Sequence, residues 1–501
     1  MPPSPVESDR DWRDEVLYFA MVDRFENGDT TNDQGVDHAN PEKFHGGDWQ
    51  GVINRLDDLK NLGVTTVWLS PPQLNDHDFL GMAGYHGYWI QDFYQTEPHL
   101  GDMAKLRELV DKAHARGMKI VLDLVVNHVG YNHPFVSDPA KHDWFHHDGN
   151  IHPFSRHGLE NGSLHGLPDL AQENPEVSRY LMDMAKYWVD QTGVDGYRVD
   201  AVRHVPRSWL KAFADEMHRC YGKDFLLLGE AYAESPREVA SYQGEAHFDS
   251  LFDFPVSNAI RSAIGFDESR GLRGVLADAW HFFKPFPHEF IRTITHRHGD
   301  MRTLSKALMQ DRAYPDAARL ATIIDNHDMP RFAELGGPDA RDKTKLALSL
   351  LFTMRGIPTL YYGIEDGMGL HGEPNRDDKP WGRDPDLAAH IRDLAALRAA
   401  SPALRRGAQV ELEADRDTYA FARVHDQDQV VVALNRSDGR LQCTVPVDGA
   451  QLADGAVVED VRTHDRFKVE RGHLRLDLPA RQARILRLAA PDAPAAPATA
   501  G

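Results

Sequence analysis

Cysteine is nearly absent from this chain. Cys220 and Cys443 are the only two in 501 residues, far apart and in no metal-ligand spacing, which excludes a disulfide framework. No run of eighteen apolar residues occurs, so no membrane-spanning helix is expected. The first residues, MPPSPVESDR, hold no apolar signal-peptide region. The expected location is therefore the cytoplasm, or outside the cell with the leader lying beyond this chain. Basic residues are outnumbered, 56 Lys and Arg against 77 Asp and Glu, for a formal net charge of −21. Such a field repels phosphate backbones, so no nucleic-acid partner is expected. It suits a neutral substrate and tolerates bound cations.

What the chain does have is alternation. Eight short apolar stretches read as strands: Val16–Phe25, Val64–Pro72, Lys119–Val129, Val194–Val202, Phe225–Tyr232, Phe248–Phe254, Leu320–Asp328 and Ile357–Glu365. Amphipathic helical patterns lie between them. One carries Leu106, Leu109, Val110 and Ala113 on a single stripe and stops at Gly117. Another opens at Pro175, closes at Gly193 and aligns Tyr180, Leu181, Met184, Tyr187 and Trp188. Eight strands alternating with helices predict an α/β fold, a closed parallel (β/α)8 TIM barrel; a doubly wound open sheet is the alternative.

The rhythm sets the expected domains. Residues 1–130 and 175–404 form the barrel. Residues 131–174, rich in His, Pro, Asp and Gly, interrupt it after the third strand as a loop-rich subdomain. A more helical insertion follows the sixth strand, about Ser257 to Arg319. From 405 to 490, alternating runs such as TYAFARV and QVVVALN predict an antiparallel β-sandwich, and 491–501 reads as a disordered tail. The chain is expected to act as a monomer.

Polar residues gather at the C-terminal strand ends, where a barrel of this kind carries its site. The third strand ends in Asp123, Asn127 and His128, the fourth in Arg198 and Asp200, the fifth in Glu230, the seventh in His327 and Asp328. Singly, each carboxylate could be a solvated loop-start or helix cap. Three converging on one rim suit glycoside cleavage, which needs one carboxyl as acid and another as nucleophile or base. Arg198, two residues from Asp200, favours the carboxylate form that a nucleophile requires. Glu230 follows the apolar run FLLLG with no basic residue beside it in sequence, so burial should keep it protonated as the acid. Asp328 is left to hold sugar hydroxyls and favour the developing positive charge. A metal-dependent barrel hydrolase would instead ligate zinc or iron through His128, His327, Asp328 and Asp123.

At these residues the sequence resembles the α-amylase family of glycoside hydrolases. DLVVNH, GYRVDAVRH, GEAY and IIDNHD match its four signature regions in order, and GVTTVWLSPP, LPDL and GIPTLYYGIED match three supporting ones. The resemblance implies a retaining mechanism on α-glucosidic bonds. Asp200 then matches the nucleophile, Glu230 the acid/base and Asp328 the transition-state stabiliser. Arg198, His128 and His327 match residues around the sugar at the cleavage point, Tyr88 in YHGYW its stacking aromatic, and His86 a hydrogen-bonding neighbour. Arg203, His204, Tyr232 and Arg376 are counted with the substrate contacts on the same ground. Glu373 in GEPNR stands where the family has an aspartate, at shorter spacing.

Calcium is implied in the same way. Asn127, Asp169 and the carbonyl of His204 match the site that ties the inserted subdomain to the barrel. NGDTTND and HGGDW look like a second site, through Asn27, Asp29, Asn32, Asp33 and Asp48 with the Gly46 carbonyl; an Asx- and Gly-rich turn is the plainer reading. His142, His146, His147, His152 and His157 could bind a metal, although a solvated loop explains them as well. By the same resemblance, Ala201, where α-1,6-specific members usually carry valine, and Leu167, where they usually carry glutamine, favour α-1,4 over α-1,6 bonds. His165 stands where cyclising members carry a large aromatic. The expectation is an α-1,4-glucan hydrolase of α-amylase type, with transglycosylation within reach. A cyclodextrin or maltooligosaccharide hydrolase or a 4-α-glucanotransferase is the near alternative, and a non-catalytic sugar-binding relative the distant one.

Overall fold

The computed structural model describes residues 11–152, 155–266, 299–426 and 428–489. The expected tail at 491–501 and most of the insertion after the sixth strand, 267–298, lie outside the described residues.

The eight expected strands all form, each buried over its length: β1 (Leu17–Ala20), β2 (Thr66–Leu69), β5 (Lys119–Leu124), β6 (Gly196–Val199), β7 (Leu226–Gly229), β8 (Ser250–Leu251), β9 (Ala321–Thr322) and β10 (Ile357–Tyr361). A short antiparallel pair, β3 (Gln73–Asn75) and β4 (Ile90–Thr96), intervenes after β2. All eight barrel strands are parallel, in the order β8-β7-β6-β5-β2-β1-β10-β9. A parallel bridge between Phe252 and Ala321 joins the two edges, so the sheet closes on itself. Strands buried on both faces need continuous apolar runs rather than alternation, which is why these segments are so rich in Val, Ile and Leu.

The helices start and stop where their caps dictate. Asn174 caps Pro175–Thr192 by accepting the Glu176 N–H, Pro175 occupies the first turn, and Gly193 ends it at φ 72°. Its inner face is Val177, Leu181, Met184, Ala185 and Trp188; each such side chain contributes on the order of 1.5–3 kcal/mol by leaving water. Tyr180 and Tyr187, assigned to that stripe from sequence, are only half-buried, because they flank it and meet the Tyr94 ring edge-on at 5.4 and 5.1 Å. The stripe of Met103–His114 is buried as expected.

Among its described residues the segment after β5 has short helical turns, Pro134–Ser137, Pro139–Trp144, Arg156–Glu160 and Leu164–Gly166, and is held to the barrel by a bridge between His128 and Asp169. The C-terminal region is antiparallel. A six-stranded sheet runs β11 (Ala408–Ala414), β12 (Thr418–His425), β13 (Asp428–Asn435), β18 (Gln482–Leu488), β15 (Val457–Asp460), β16 (Arg466–Lys468). A pair, β14 (Leu441–Pro446) and β17 (His473–Leu478), adds a second layer, and the two share a core that includes Val431, Leu474, Leu476 and Leu486. Buried Arg423 ties this domain to the barrel by donating to the Thr353 carbonyl at 2.9 Å, and it also holds the Gly407 carbonyl of its own domain at 2.9 Å. Both cysteines are free, and among the described residues no helix is long and apolar enough to cross a membrane.

Candidate active site

Strand register builds the centre of the site. Arg198 on β6 lies opposite Asp123 on β5. Its guanidinium is fully buried, and water cannot satisfy it. Three carboxylates surround it as ion-pair partners instead: Nη1 lies 2.8 Å from Asp123 Oδ1 and 2.7 Å from Asp200 Oδ1, and Nη2 lies 2.8 Å from Glu230 Oε2. One planar cation thus holds Asp200 and Glu230, from adjacent strand ends, beside one another. Glu230 has no basic residue beside it in sequence; its partner comes from the neighbouring strand, a pairing that local sequence cannot display.

A backbone feature completes the pair. Ala201 adopts φ 49° and ψ 36°, left-handed geometry that a non-glycine residue rarely takes. There the chain after Asp200 turns so that the Ala201 N–H donates to Glu230 Oε2 at 3.2 Å. Burial nevertheless raises the Glu230 pKa; Asp200 and Asp328 add to the rise, and Arg198 and the Ala201 bond only oppose it. Glu230 is therefore a carboxyl able to carry a proton at neutral pH.

Asp123 is the residue whose importance sequence reasoning underrated. It is fully buried, accepts from Arg198, and also receives the Trp68 indole N–H at 3.1 Å and the Tyr88 hydroxyl at 2.9 Å. Burial raises its pKa and Arg198 opposes that. The available signal was a lone carboxylate inside the apolar strand KIVLDL, which calls for a buried cation.

Asp328, at the end of the segment after β9, has its side chain 43% exposed. Arg376 Nη2 lies 3.1 Å from its Oδ1 and His327 Nε2 3.1 Å from its Oδ2. The surrounding walls work to raise its pKa, but His327, Arg376 and Arg198 outweigh them and hold it below the ordinary range. Burial pushes His327 down to about 3, which leaves the imidazole neutral. The Tyr88 ring lies nearly parallel to His327, centroids 5.3 Å apart, and to His86 at 5.6 Å. Burial holds His86 well below its ordinary value, and its Nδ1 accepts the Tyr88 N–H at 3.1 Å. His128 donates from Nε2 to the Tyr88 carbonyl at 3.1 Å. So Asp200, Glu230, Asp328, Arg198, Tyr88, His86, His128, His327 and Arg376 belong to one network of contacts at the strand ends.

Other candidates are placed less directly. Arg203 pairs with Glu238 at 2.7 Å and reaches the Tyr232 carbonyl at 3.3 Å, while the Tyr232 ring meets Phe254 edge-on. His204 bonds the Leu159 carbonyl at 3.0 Å, and burial lowers it to about 4. Glu373 pairs with Arg383 and accepts the Gly369 N–H at 2.9 Å.

Oxygen donors gather at two places. Asn127 Oδ1 and Asp169 Oδ1 are both buried with no hydrogen-bond partner, on segments joined by the Leu170 N–H to the Asn127 carbonyl at 2.9 Å. The other oxygen of Asp169 meets His146 at 2.6 Å; burial raises the carboxyl to about 7, and its bond to His146 opposes that. Around the second motif, Asn27 donates to Asp33 at 2.9 Å, and a Cβ on Gly46 would come within 2.8 Å of both side chains. Asp29 accepts from Thr31, Asn32 Oδ1 is buried without a partner, and Asp48 caps the helix Trp49–Leu62. The ligand set of a metal-dependent hydrolase does not form among the described residues, because Asp123 is committed to Arg198, Trp68 and Tyr88. Nor do His142, His146, His147, His152 and His157 gather into one ligand cluster there; the two such clusters are His38 with His45 and Asp378, and His77 with Glu97 and His99.

Comparison with known proteins agrees with this geometry. The family described as alpha amylase, catalytic domain, matches residues 19–381, and maltogenic amylase, C-terminal domain, matches 409–485. A beta/alpha-amylase of Paenibacillus polymyxa is 33% identical over 96% of this chain, which spans 38% of that protein's length. A cyclomaltodextrin glucanotransferase of Geobacillus stearothermophilus is 33% identical over 84% of the chain, here spanning 59% of the relative. The crystal structure of an Anoxybacillus alpha-amylase superposes with a TM-score of 0.83 at 37% identity, covering 96% of this chain and 99% of that one. A closed parallel barrel with polar strand ends, an antiparallel C-terminal domain and these matches lead to one conclusion: the chain belongs to the α-amylase family of enzymes.

Proposed function

We propose that this chain is a retaining α-1,4-glucan hydrolase of α-amylase type, acting as a monomer on starch or maltooligosaccharides. The observation that carries the reading is the shared guanidinium, with Arg198 at 2.7 Å from Asp200 and 2.8 Å from Glu230. Two carboxyls so linked suit double displacement, which wants them about 5–5.5 Å apart. Glu230, kept protonated by burial, gives its proton to the glycosidic oxygen as the bond to C1 breaks. The Asp200 carboxylate attacks C1 and forms a glycosyl ester. Water then gives its proton to Glu230 and adds to C1, releasing Asp200 with retained configuration. Asp328, fixed by Arg376, holds the ring hydroxyls and favours positive charge as it develops. Tyr88 supplies an aromatic contact for the sugar at the cleavage point.

Calcium belongs to the proposal. Asn127 and Asp169, each with an orphaned buried oxygen, would hold one ion with the His204 carbonyl, and its part would be to fasten the inserted segment to the barrel. Asn27, Asp29, Asn32, Asp33, Asp48 and the Gly46 carbonyl would hold a second. There the fit is partial, since Asp48 already accepts the N–H groups of Gly28, Asp29 and Gly51.

A second reading is a cyclodextrin or maltooligosaccharide hydrolase or 4-α-glucanotransferase. It is favoured by relatives named cyclomaltodextrin glucanotransferase. Chromatography of products from starch, maltooligosaccharides and cyclodextrins separates the two. Hydrolysis raises reducing ends and shortens chains; transfer makes longer or cyclic products at constant reducing ends. Asp200→Asn should abolish either activity with an unchanged fold.

A further inference from the structure

Outside that network, Glu97 lies just past β4 with two imidazoles turned to its carboxylate. His99 Nδ1 is 2.5 Å from Oε1, and His77 Nε2 is 3.0 Å from both oxygens. The three donor groups lie within 4.8 Å of one another. The other ring nitrogen of His99, Nε2, lies 2.7 Å from the Gln34 carbonyl. A carbonyl only accepts, so Nε2 carries the proton. A neutral His99 then aims a bare Nδ1 lone pair at a carboxylate oxygen, and the two repel. A positive occupant must sit between them: a second proton or a metal ion.

The surroundings prepare the group for the metal. An imidazole anchored by a carbonyl through one nitrogen, with the other turned to a carboxylate, is oriented as metal-ligating histidines are. Phe44 stacks on the His99 ring at 3.9 Å and 8°, fixing its plane. The Asn75 N–H holds Glu97 Oε2 at 3.0 Å, and the His99 N–H meets Oε1 at 3.2 Å. Glu97 and His99 are buried, while His77 is 45% exposed and opens the group to water.

We propose that His77, Glu97 and His99 bind a divalent transition ion of the zinc class, with water as a further ligand. Two imidazole nitrogens and a carboxylate suit zinc rather than calcium, which takes oxygen ligands. Bonds of about 2.0–2.2 Å to the ion put tetrahedral donors roughly 3.3 Å apart, so the 2.5 Å between His99 Nδ1 and Glu97 Oε1 would widen on binding. The other such group, His38, His45 and Asp378, is unsuited, because the Arg24 guanidinium already lies 3.1 Å from both nitrogens of His45. The ion would clasp the segments carrying His77 and His99 together.

The test is calorimetric titration of the full chain with zinc chloride, calcium being saturating so that oxygen sites are filled. The wild type should bind one zinc ion that His77→Ala weakens at least about 100-fold and His38→Ala leaves unchanged. Cobalt should give the visible absorption of a low-coordinate site in the wild type, lost in the same variant. His77→Gln is a second variant should the alanine chain not fold. Equal zinc affinity in wild type and either His77 variant overturns the proposal. So does loss of the site in His38→Ala instead, or no zinc binding by the wild type at millimolar concentration.

Discussion

Arg198→Met removes the one cation shared by three carboxylates, and the consequence can be worked out. In the wild type Arg198 opposes the burial-driven rise in pKa at Asp123 and Glu230. Without it both rise further. A carboxyl whose folded pKa lies above its unfolded value contributes no penalty while protonated. It destabilises progressively as pH climbs from the unfolded toward the folded value, because the unfolded state releases its proton first. The wild type carries the same cost up to its own raised values, about 7 for Asp123 and about 8 for Glu230, so the variant's extra deficit opens only above about pH 7 and then grows by about 1.4 kcal/mol per pH unit for each carboxyl. Unfolding entropy for a chain of 501 residues is about 1 kcal/mol/K, so the loss from these two groups should be about 2 °C at pH 8 and about 4 °C at pH 9. Near pH 5 it should vanish. Scanning calorimetry of variant and wild type across that range reads the difference directly. A variant that melts with the wild type at every pH, or one whose deficit is equal at pH 5 and pH 8, would refute the argument that these charges depend on Arg198.

The remaining predictions concern protons and ions. The alkaline limb of kcat/KM should lie well above the ordinary glutamate range, since burial raises Glu230 and activity is lost only as its proton leaves; a pH–rate profile already falling at pH 5 contradicts this. Chelation should lower the melting temperature. An ion at a hundredfold excess over its Kd contributes about 2.7 kcal/mol, or about 3 °C by the same conversion. Asn127→Ala should melt lower and lose most of that chelator response, whereas an unchanged response would separate Asn127 from calcium.

Much of the fold was legible because a barrel buried on both faces writes itself as apolar runs. The strands from Val16–Phe25 to Ile357–Glu365 needed no tertiary information beyond their alternation with helices. The caps at Asn174 and Gly193 were equally local. Contacts between neighbouring strands were not legible. Arg198 and Asp200 are two residues apart and could be paired on sight, but Arg198 and Glu230 meet only because β6 and β7 are parallel neighbours. The same limit hid the role of Asp123, which becomes clear once the β5–β6 register sets it opposite Arg198. Asp48 shows a different limit. An Asx- and Gly-rich turn serves a helix cap or a cation equally well, and the hydrogen bonds from Gly28, Asp29 and Gly51 account for its carboxylate as a cap.

The most direct measurement is to catch the glycosyl ester. Glu230→Gln chain given α-maltotriosyl fluoride needs no acid to expel the leaving group, yet lacks the base that would hydrolyse the ester. Peptide mass spectrometry of the quenched protein should find a maltotriosyl adduct on Asp200. An adduct on any other residue, or turnover through an inverted product with no adduct at all, would contradict the account.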